Sequence, residues 1–267
     1  MYIPGMRILV TGSARAIGRA TAVECATRGH HVIATARDKS LLDDLDVAQR
    51  LTLDVRDPDS IRAAFDAAGE LDGIVNNAAL NGSGPMEDYP LDKFQAVMDT
   101  NTYGPLRLVQ AVAPAWRERG SGVIVNVSSV QGRVATPLEG AYAASKYALE
   151  ALSETLHYEL AHFGIRVVIV EPGYIAPGMK ASPRHDGPAE YGPLWDQWLG
   201  TDAKLTGADG RPGSELVGVA IADALEDPET PLRVPVGEDA KMIFGARKHF
   251  DDADFEDAMR KTLDFTW

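Results

Sequence analysis

Residues 6–18 read MRILVTGSARAIG. The first six, Met6 to Thr11, form an almost unbroken apolar run with β-branched members. Such a run suits a strand of a parallel sheet, where helices cover both faces. A turn bounded by Gly12 and Gly18 follows at once, and then a helical pattern over residues 17–28 that Gly29 stops. A strand passing through a glycine turn into a helix is the first half of a βαβ unit.

The same grammar continues. Short strands are predicted at 31–35, 51–54, 73–76, 123–127, 165–171 and 233–236, with longer amphipathic stretches between them. Asp57-Pro58 starts one helix, with the carboxylate as cap and the proline at the first helical position. Residues 91–119 read as helix in two pieces, with Pro105 and Pro114 as breaks or kinks. A long helix is predicted over 141–162, and a helical acidic tail after Gly237. Alternation of this kind predicts an α/β fold: a Rossmann-like, doubly wound, seven-stranded parallel sheet with right-handed crossovers and helices on both faces. Residues 1–267 read as a single NAD(P)-binding domain, with a substrate loop at about 174–212 and a C-terminal helical tail at about 238–267.

The turn has a chemical use. Glycines at the first strand–helix junction let the backbone approach a pyrophosphate, which the helix N-terminus then holds. The cradle residues are Gly12, Ser13, Arg15, Ala16, Ile17 and Gly18. The spacing differs from G-x-G-x-x-G, and a glycine pair alone also serves ordinary helix packing. The end of the second strand sets cofactor choice, because NAD sites place an acid there and NADP sites an arginine. The strand ends Thr35-Ala36-Arg37, with no acid at 36. Arg37 and Arg15 can together clamp a 2′-phosphate. The competing reading makes both of them surface arginines, with Asp38 pairing Arg37. NADP(H) is the expected cofactor, NAD(H) the second choice.

A second stretch carries the reactive groups. Residues 123–146 read VIVNVSSVQGRVATPLEGAYAASK. The strand ends in Ser128 and Ser129, and on the following helix Tyr142 and Lys146 stand four apart, on one face. An ammonium beside a phenol favours the phenolate, which matters because a phenol ordinarily titrates near ~10. A serine hydroxyl at the strand end can hold a substrate oxygen beside that phenol. Tyr-x-x-x-Lys alone also occurs as a plain aromatic–cation pair on a solvated helix.

Composition narrows the classes. The 267 residues carry a net charge of −13, which argues against a nucleic-acid or anionic-membrane partner. One cysteine, Cys25, excludes a disulfide within the chain and suits a reducing compartment. No apolar run reaches the roughly 18 residues of a membrane span, and no signal peptide is read at the start. A cytoplasmic protein is expected. His157, His162, His185 and His249 lack ligand spacing, so no catalytic metal is expected.

Together, Gly12…Gly18, Asn76-Asn77-Ala78, Asn101, Ser129, Tyr142/Lys146 and Pro172-Gly173 resemble the short-chain dehydrogenase/reductase family in its single-domain branch, continuously from about residue 7 to 175. The spacing of that family selects Ser129 over Ser128. The resemblance implies that Tyr142 exchanges a proton with the substrate oxygen, and that Ser129 hydrogen-bonds this oxygen. Lys146 is implied to lower the tyrosine pKa and hold the nicotinamide ribose, and Asn101 to anchor a proton-relaying water. It further implies that Asp54 and Val55 flank the adenine, that Asn77 and Ala78 line the cofactor, and that Pro172, Gly173 and Ile175 meet the nicotinamide end. Three positions depart from the family pattern: Ala16 and Ala79 replace glycines, and Pro177 replaces a threonine that holds the carboxamide. Either Ser182 or a backbone group then takes over that last role.

The loop at 174–212 carries Met179, Tyr191, Leu194, Trp195, Trp198 and Leu199, which read either as a lid over an apolar substrate or as packing against the body or a second subunit. The expected activity is an NADP(H)-dependent oxidoreductase (EC 1.1.1.-) acting on a small-molecule secondary alcohol or ketone, hydrophobic or cyclic. The alternatives are an NAD-dependent alcohol dehydrogenase of the same family, a non-catalytic dinucleotide sensor, and a non-redox lyase or dehalogenase on the same scaffold. The full Asn–Ser–Tyr–Lys set disfavours the sensor, and Lys146 with Gly12 and Gly18 disfavours the lyase or dehalogenase. A homodimer or homotetramer is expected by family resemblance, through the helices ending near Arg119 and His162.

Overall fold

The computed structural model describes residues 5–179, 185–199, 201, 204 and 210–267. Seven strands form one parallel sheet: β1 (Arg7–Val10), β2 (His31–Ala36), β3 (Gln49–Thr52), β4 (Gly73–Asn76), β5 (Gly122–Val127), β6 (Ile165–Pro172) and β7 (Arg233–Val236). Their order is β3-β2-β1-β4-β5-β6-β7, and every pairing is parallel. The order reverses between β1 and β4. In such sheets that reversal opens a crevice beyond the carboxyl ends of the strands.

The helices are α1 (Ala16–Thr27), α2 (Pro58–Ala68), α3 (Leu91–Met98), α4 (Gly104–Arg119), α5 (Gly140–Ala161), α6 (Gly192–Leu199), α7 (Glu215–Glu226), α8 (Glu238–His249) and α9 (Asp252–Leu263). Alternation along each strand divides the core. Ile8 and Val10 face a layer with Ala22 and Cys25 of α1 and Val217 and Ile221 of α7. Leu9 faces the other way, with Ile61 of α2, Leu108 and Trp116 of α4 and Leu160 of α5.

Most predicted boundaries fall within one or two residues of those observed, the scatter expected at frayed ends. Asp57 caps α2 by accepting from the Asp59 N–H, with Pro58 just inside. Three differences are larger. Pro114 lies within α4 on its exposed side and does not break it. The real interruption is a π-turn at Asp99–Tyr103, between α3 and α4. Helix α7 was not foreseen. It buries Val217, Ile221, Ala224 and Leu225 at helical spacing, and its Gly218 lies so close to the Ala20–Thr21 backbone of α1 that a methyl there would approach it to 2.9 Å. No described helix is long and apolar enough to cross a membrane.

Candidate active site

The carboxyl ends of β1 to β6 border one cleft of about 760 Å3. Its floor begins at the glycine turn. Gly12 adopts φ +68°, which glycine does without a Cβ penalty. A Cβ on Gly18 would collide with the Gly12 carbonyl and Asn77 Nδ2. That close approach is why α1 can start directly above β1. The Thr11 hydroxyl accepts from the Asn77 and Ala78 N–H groups, both at 2.9 Å. Asn77 Nδ2 donates back to the Thr11 carbonyl at 2.9 Å. So β4 and the turn are laced together, and Asn77 lines the cleft with its amide already engaged.

Ala16 departs from glycine at a costly place: its φ is +45°, a left-handed conformation disfavoured for any residue with a Cβ. Substituting Ala16→Gly is expected to stabilise the fold by about 1 kcal/mol and to tighten dinucleotide binding. Denaturant midpoints and cofactor titration check the two effects separately. Unchanged values in both would mean the turn relaxes without cost.

Further along the cleft, Arg15 and Arg37 are exposed, and no ion pair holds either among the described residues. Asp38 does not pair with Arg37. Its carboxylate caps a short 3-10 turn by accepting from the Ser40 N–H and hydroxyl at 3.0 and 2.7 Å. Asp54 lines the same end, and its carboxyl is held below the ordinary range chiefly by the Arg56 guanidinium, at 2.7 Å. Val55 and Ala78 complete this wall.

At the other end stand Ser129, Tyr142 and Lys146. Ser129 acts on the Tyr142 phenol, opposing the rise of its pKa, and Ser129 Oγ accepts from the Gln131 N–H at 3.1 Å. Lys146 is buried, and its Nζ donates to the Val127 carbonyl at 2.7 Å and stands 5.6 Å from the Tyr142 ring centre. The electrostatics differ from the sequence expectation. Burial pushes the phenol up to about 12; the Ser129 hydrogen bond opposes this, and Glu139 adds to it. Burial also draws the Lys146 ammonium down to about 8, opposed by Glu150. Lys146 is not among the groups that shift the phenol, and its Nζ is engaged by the Val127 carbonyl.

Pro172, Gly173 and Ile175 also line the cleft. Two residues that the sequence places at the site lie off the cleft lining. Ser13 is fully buried, its hydroxyl donating to the Val10 carbonyl at 2.8 Å, and it does not line the cleft. Asn101, in the π-turn, is also buried off the cleft. Its Nδ2 donates to the Leu80 carbonyl and to Ser145 Oγ, both at 2.9 Å, and its Oδ1 accepts from the Leu80 N–H at 2.8 Å. Its side chain fastens the loop after β4, and any water it anchors must use the backbone. Asn76 likewise donates to Asn126 behind the sheet end, at 2.7 Å.

Several contributors were not legible. Asp239 of α8 accepts from the Tyr174 N–H at 2.7 Å and presses against Gly173, where a Cβ would strike its carboxylate. Ile243 of α8 and Met259 of α9 line the cleft, so the acidic tail covers the crevice. Trp198 lines it too, while Trp195 does not: it is packed with Leu138, Leu194 and Leu263. Pro177 lines the cleft, and Ser182 lies outside the described residues, as do other parts of the 174–212 loop. No group of three His, Cys, Asp or Glu suited to a metal occurs among the described residues.

A glycine cradle without a blocking Cβ, cationic side chains along one half and a Ser–Tyr–Lys group at the far end fit an elongated dinucleotide. The short chain dehydrogenase model matches residues 6–187. Human retinol dehydrogenase 8 is 34% identical over 249 residues, covering 85% of this chain and 79% of the human protein. A short-chain dehydrogenase from Streptomyces avermitilis superposes with a TM-score of 0.81 at 33% identity, over 97% of this chain and 98% of that one. A short chain dehydrogenase from Burkholderia cenocepacia, solved in complex with NADP, gives 0.78 at 26% identity, over 100% of both chains. Fold, motif order and relatives agree that this chain belongs to the short-chain dehydrogenase/reductase family, oxidoreductases that act on small molecules with a nicotinamide dinucleotide.

Proposed function

We propose that the protein is an NADP(H)-dependent oxidoreductase that interconverts a secondary alcohol and a ketone of hydrophobic or cyclic character. The observation that carries this reading is that Ser129, Tyr142 and Lys146 line one cleft with the glycine turn, Lys146 Nζ standing 5.6 Å from the Tyr142 ring centre. When bound, the cofactor supplies or accepts the hydride. Tyr142 gives its phenolic proton to the carbonyl oxygen in reduction and takes it back in oxidation. Ser129 donates a hydrogen bond to the same oxygen, strongest as negative charge builds there. Lys146 would hold the ribose hydroxyls and replenish the Tyr142 proton. Asn101 acts as a positioning residue that fixes Leu80 against the cleft.

Around the glycine turn, Gly12, Arg15, Ala16, Ile17 and Gly18 would hold the pyrophosphate. Asp54, Val55, Asn77 and Ala78 would hold the adenosine half, and Pro172, Gly173 and Ile175 the nicotinamide. Preference for NADP(H) rests on Arg15 and Arg37, two guanidiniums with no ion pair among the described residues, on one wall beside the apolar Ala36. The NADP complex of the Burkholderia relative is consistent with it. Arg37→Ala is expected to raise the KM for NADP(H) about ten-fold or more and leave that for NAD(H) in place. Equal values before and after would move the assignment to NAD(H), with Asp38 as the ribose acid.

Trp198, Ile243, Met259 and Val134 line the cleft, and they support an apolar substrate. Following the near-ultraviolet absorbance of the reduced nicotinamide against a panel of ketones and alcohols tests the activity directly. No turnover with any member would favour a dinucleotide sensor. We further read residues 1–267 as one domain, since a single sheet carries both halves of the site. Assembly is proposed through α4 and α5: Tyr158 of α5 is 73% exposed, and Ala144 and Ala151 are exposed on the same helix.

A further inference from the structure

The loop after β6 and the chain just ahead of α7 are tied together. The Ala176 N–H donates to the Pro212 carbonyl at 2.8 Å, and Ala176 pairs with Gly213 in an isolated parallel bridge. These contacts bring Arg211 to the cleft, which it lines together with Tyr174, Pro177 and Gly178. Its guanidinium stands 5.3 Å from the Tyr174 ring centre. A methyl built on Gly178 would come within 3.1 Å of Arg211 Nη1, so the missing side chain at 178 leaves room for the guanidinium. Just downstream, Ser214 and Glu215 share a recess with Ala16, Arg19 and Ala20 of α1. Pro177 borders both that recess and the cleft. Arg211 therefore enters the cleft beside the first turn of α1.

That end of α1 is prepared for an anion. It has no side-chain cap and no acidic residue in its first turn, which leaves backbone N–H groups without an intrahelical partner. The chain carries a net charge of −13, yet five basic residues and only two acidic ones line the cleft. Both acids are engaged, Asp38 by Ser40 and Asp54 by Arg56. Glu215 turns its carboxylate toward Gly213, where a Cβ would strike it. Arg15 and Arg37 are read as the 2′-phosphate clamp, and Lys146 Nζ donates to the Val127 carbonyl. Arg211 supplies positive charge on the nicotinamide side of the turn.

We infer that Arg211 is a cofactor-binding residue that contacts the pyrophosphate from the side of the β6 loop, across from the backbone N–H groups of the glycine turn. A guanidinium keeps its charge at any working pH and offers phosphate oxygens a planar fork of donors. The Tyr174 ring beneath it favours that position before any ligand arrives. The same contact answers the departure at Pro177, which has neither hydroxyl nor N–H to offer. This assignment rests on the pyrophosphate lying at the glycine turn, as proposed above.

Equilibrium titration of Arg211→Gln with NADPH and NADH, by nicotinamide fluorescence and without substrate, reads the contact. Both dissociation constants should rise about ten-fold, whereas Arg37→Ala raises only the first. ADP-ribose and its 2′-phosphate keep the pyrophosphate and lack the nicotinamide; by calorimetry they should lose the same factor. Adenosine 2′-monophosphate has no pyrophosphate and should bind as it does to the parent. The loss should shrink at high salt, and Arg211→Lys should recover part of the affinity. Because Arg211 is exposed, the denaturation midpoint should stay in place. Unchanged constants for the dinucleotides and for ADP-ribose overturn the assignment. So does a loss confined to the KM of anionic substrates, which would move Arg211 to the substrate. A parent that binds no dinucleotide overturns the placement of the pyrophosphate itself, a failure distinct from parent binding that Arg211→Gln leaves intact.

Discussion

Tyr142→Phe is expected to reduce kcat by roughly 10²–10⁴-fold, the usual range for losing a positioned proton donor, with little change in fold or cofactor affinity. The substitution deletes one oxygen. It removes the hydroxyl on which Ser129 acts and leaves the ring beside Lys146 in place. Steady-state kinetics in both directions, with cofactor binding followed separately, check the result. Parent-like turnover would remove the phenol from the mechanism. The shifts give the pH dependence its sign. With the phenol up to about 12, it stays protonated and ready to donate throughout the neutral range. Lys146, drawn down to about 8, is the first of the two to give up its proton as pH rises. Reduction should therefore decline above about 8 through the lysine, and Tyr142→Phe should abolish the rate without relocating that limb in whatever activity remains.

Trp195→Ala is expected to cost about 3–5 kcal/mol of stability, the range for truncating a buried aromatic residue. Trp195 is enclosed by Leu138, Leu194, Trp198 and Leu263, and its indole N–H donates to the Asp186 carbonyl at 3.4 Å. Because it does not line the cleft, its loss should affect bulky and small substrates alike. Trp198→Ala should behave differently. That side chain reaches the cleft, so kcat/KM for bulky apolar substrates should fall more than for small ones. Chemical denaturation combined with a substrate-size series separates the two. A size-selective loss in Trp195→Ala, or a uniform one in Trp198→Ala, would reverse the assignment of the two tryptophans.

The contrast between these tryptophans shows where reading the chain reached its end. Three residues apart on a short amphipathic segment, they are equivalent in sequence; only the packing of α6 against α9 turned one inward and the other toward the cleft. Helix α7 was missed for a related reason. Its apolar residues are spaced for a helix, but the Gly- and Pro-rich stretch before it gave no clear start, and no side-chain cap marks its N-terminus. Ser13 and Asn101 carry polar side chains at the expected positions, yet both bond to backbone groups that the sheet and the π-turn bring to them. Asp239 lies sixty-five residues along the chain from Tyr174, whose N–H it accepts, and no local signal could have linked them.

What the sequence determined by itself was everything governed by short range: the apolar runs that become β1 to β7, the glycine turn, Asp57-Pro58 at the start of α2, and the four-residue spacing that puts Tyr142 and Lys146 on one face of α5. These follow from backbone geometry and side-chain period, which neighbouring residues fix among themselves. The tertiary structure alone decided the electrostatics. Whether Lys146 lowers the phenol depends on how completely both are removed from water, and Glu171 is pushed up by its burial on β6. Burial and long-range charge are sums over the whole fold, and no stretch of chain contains them.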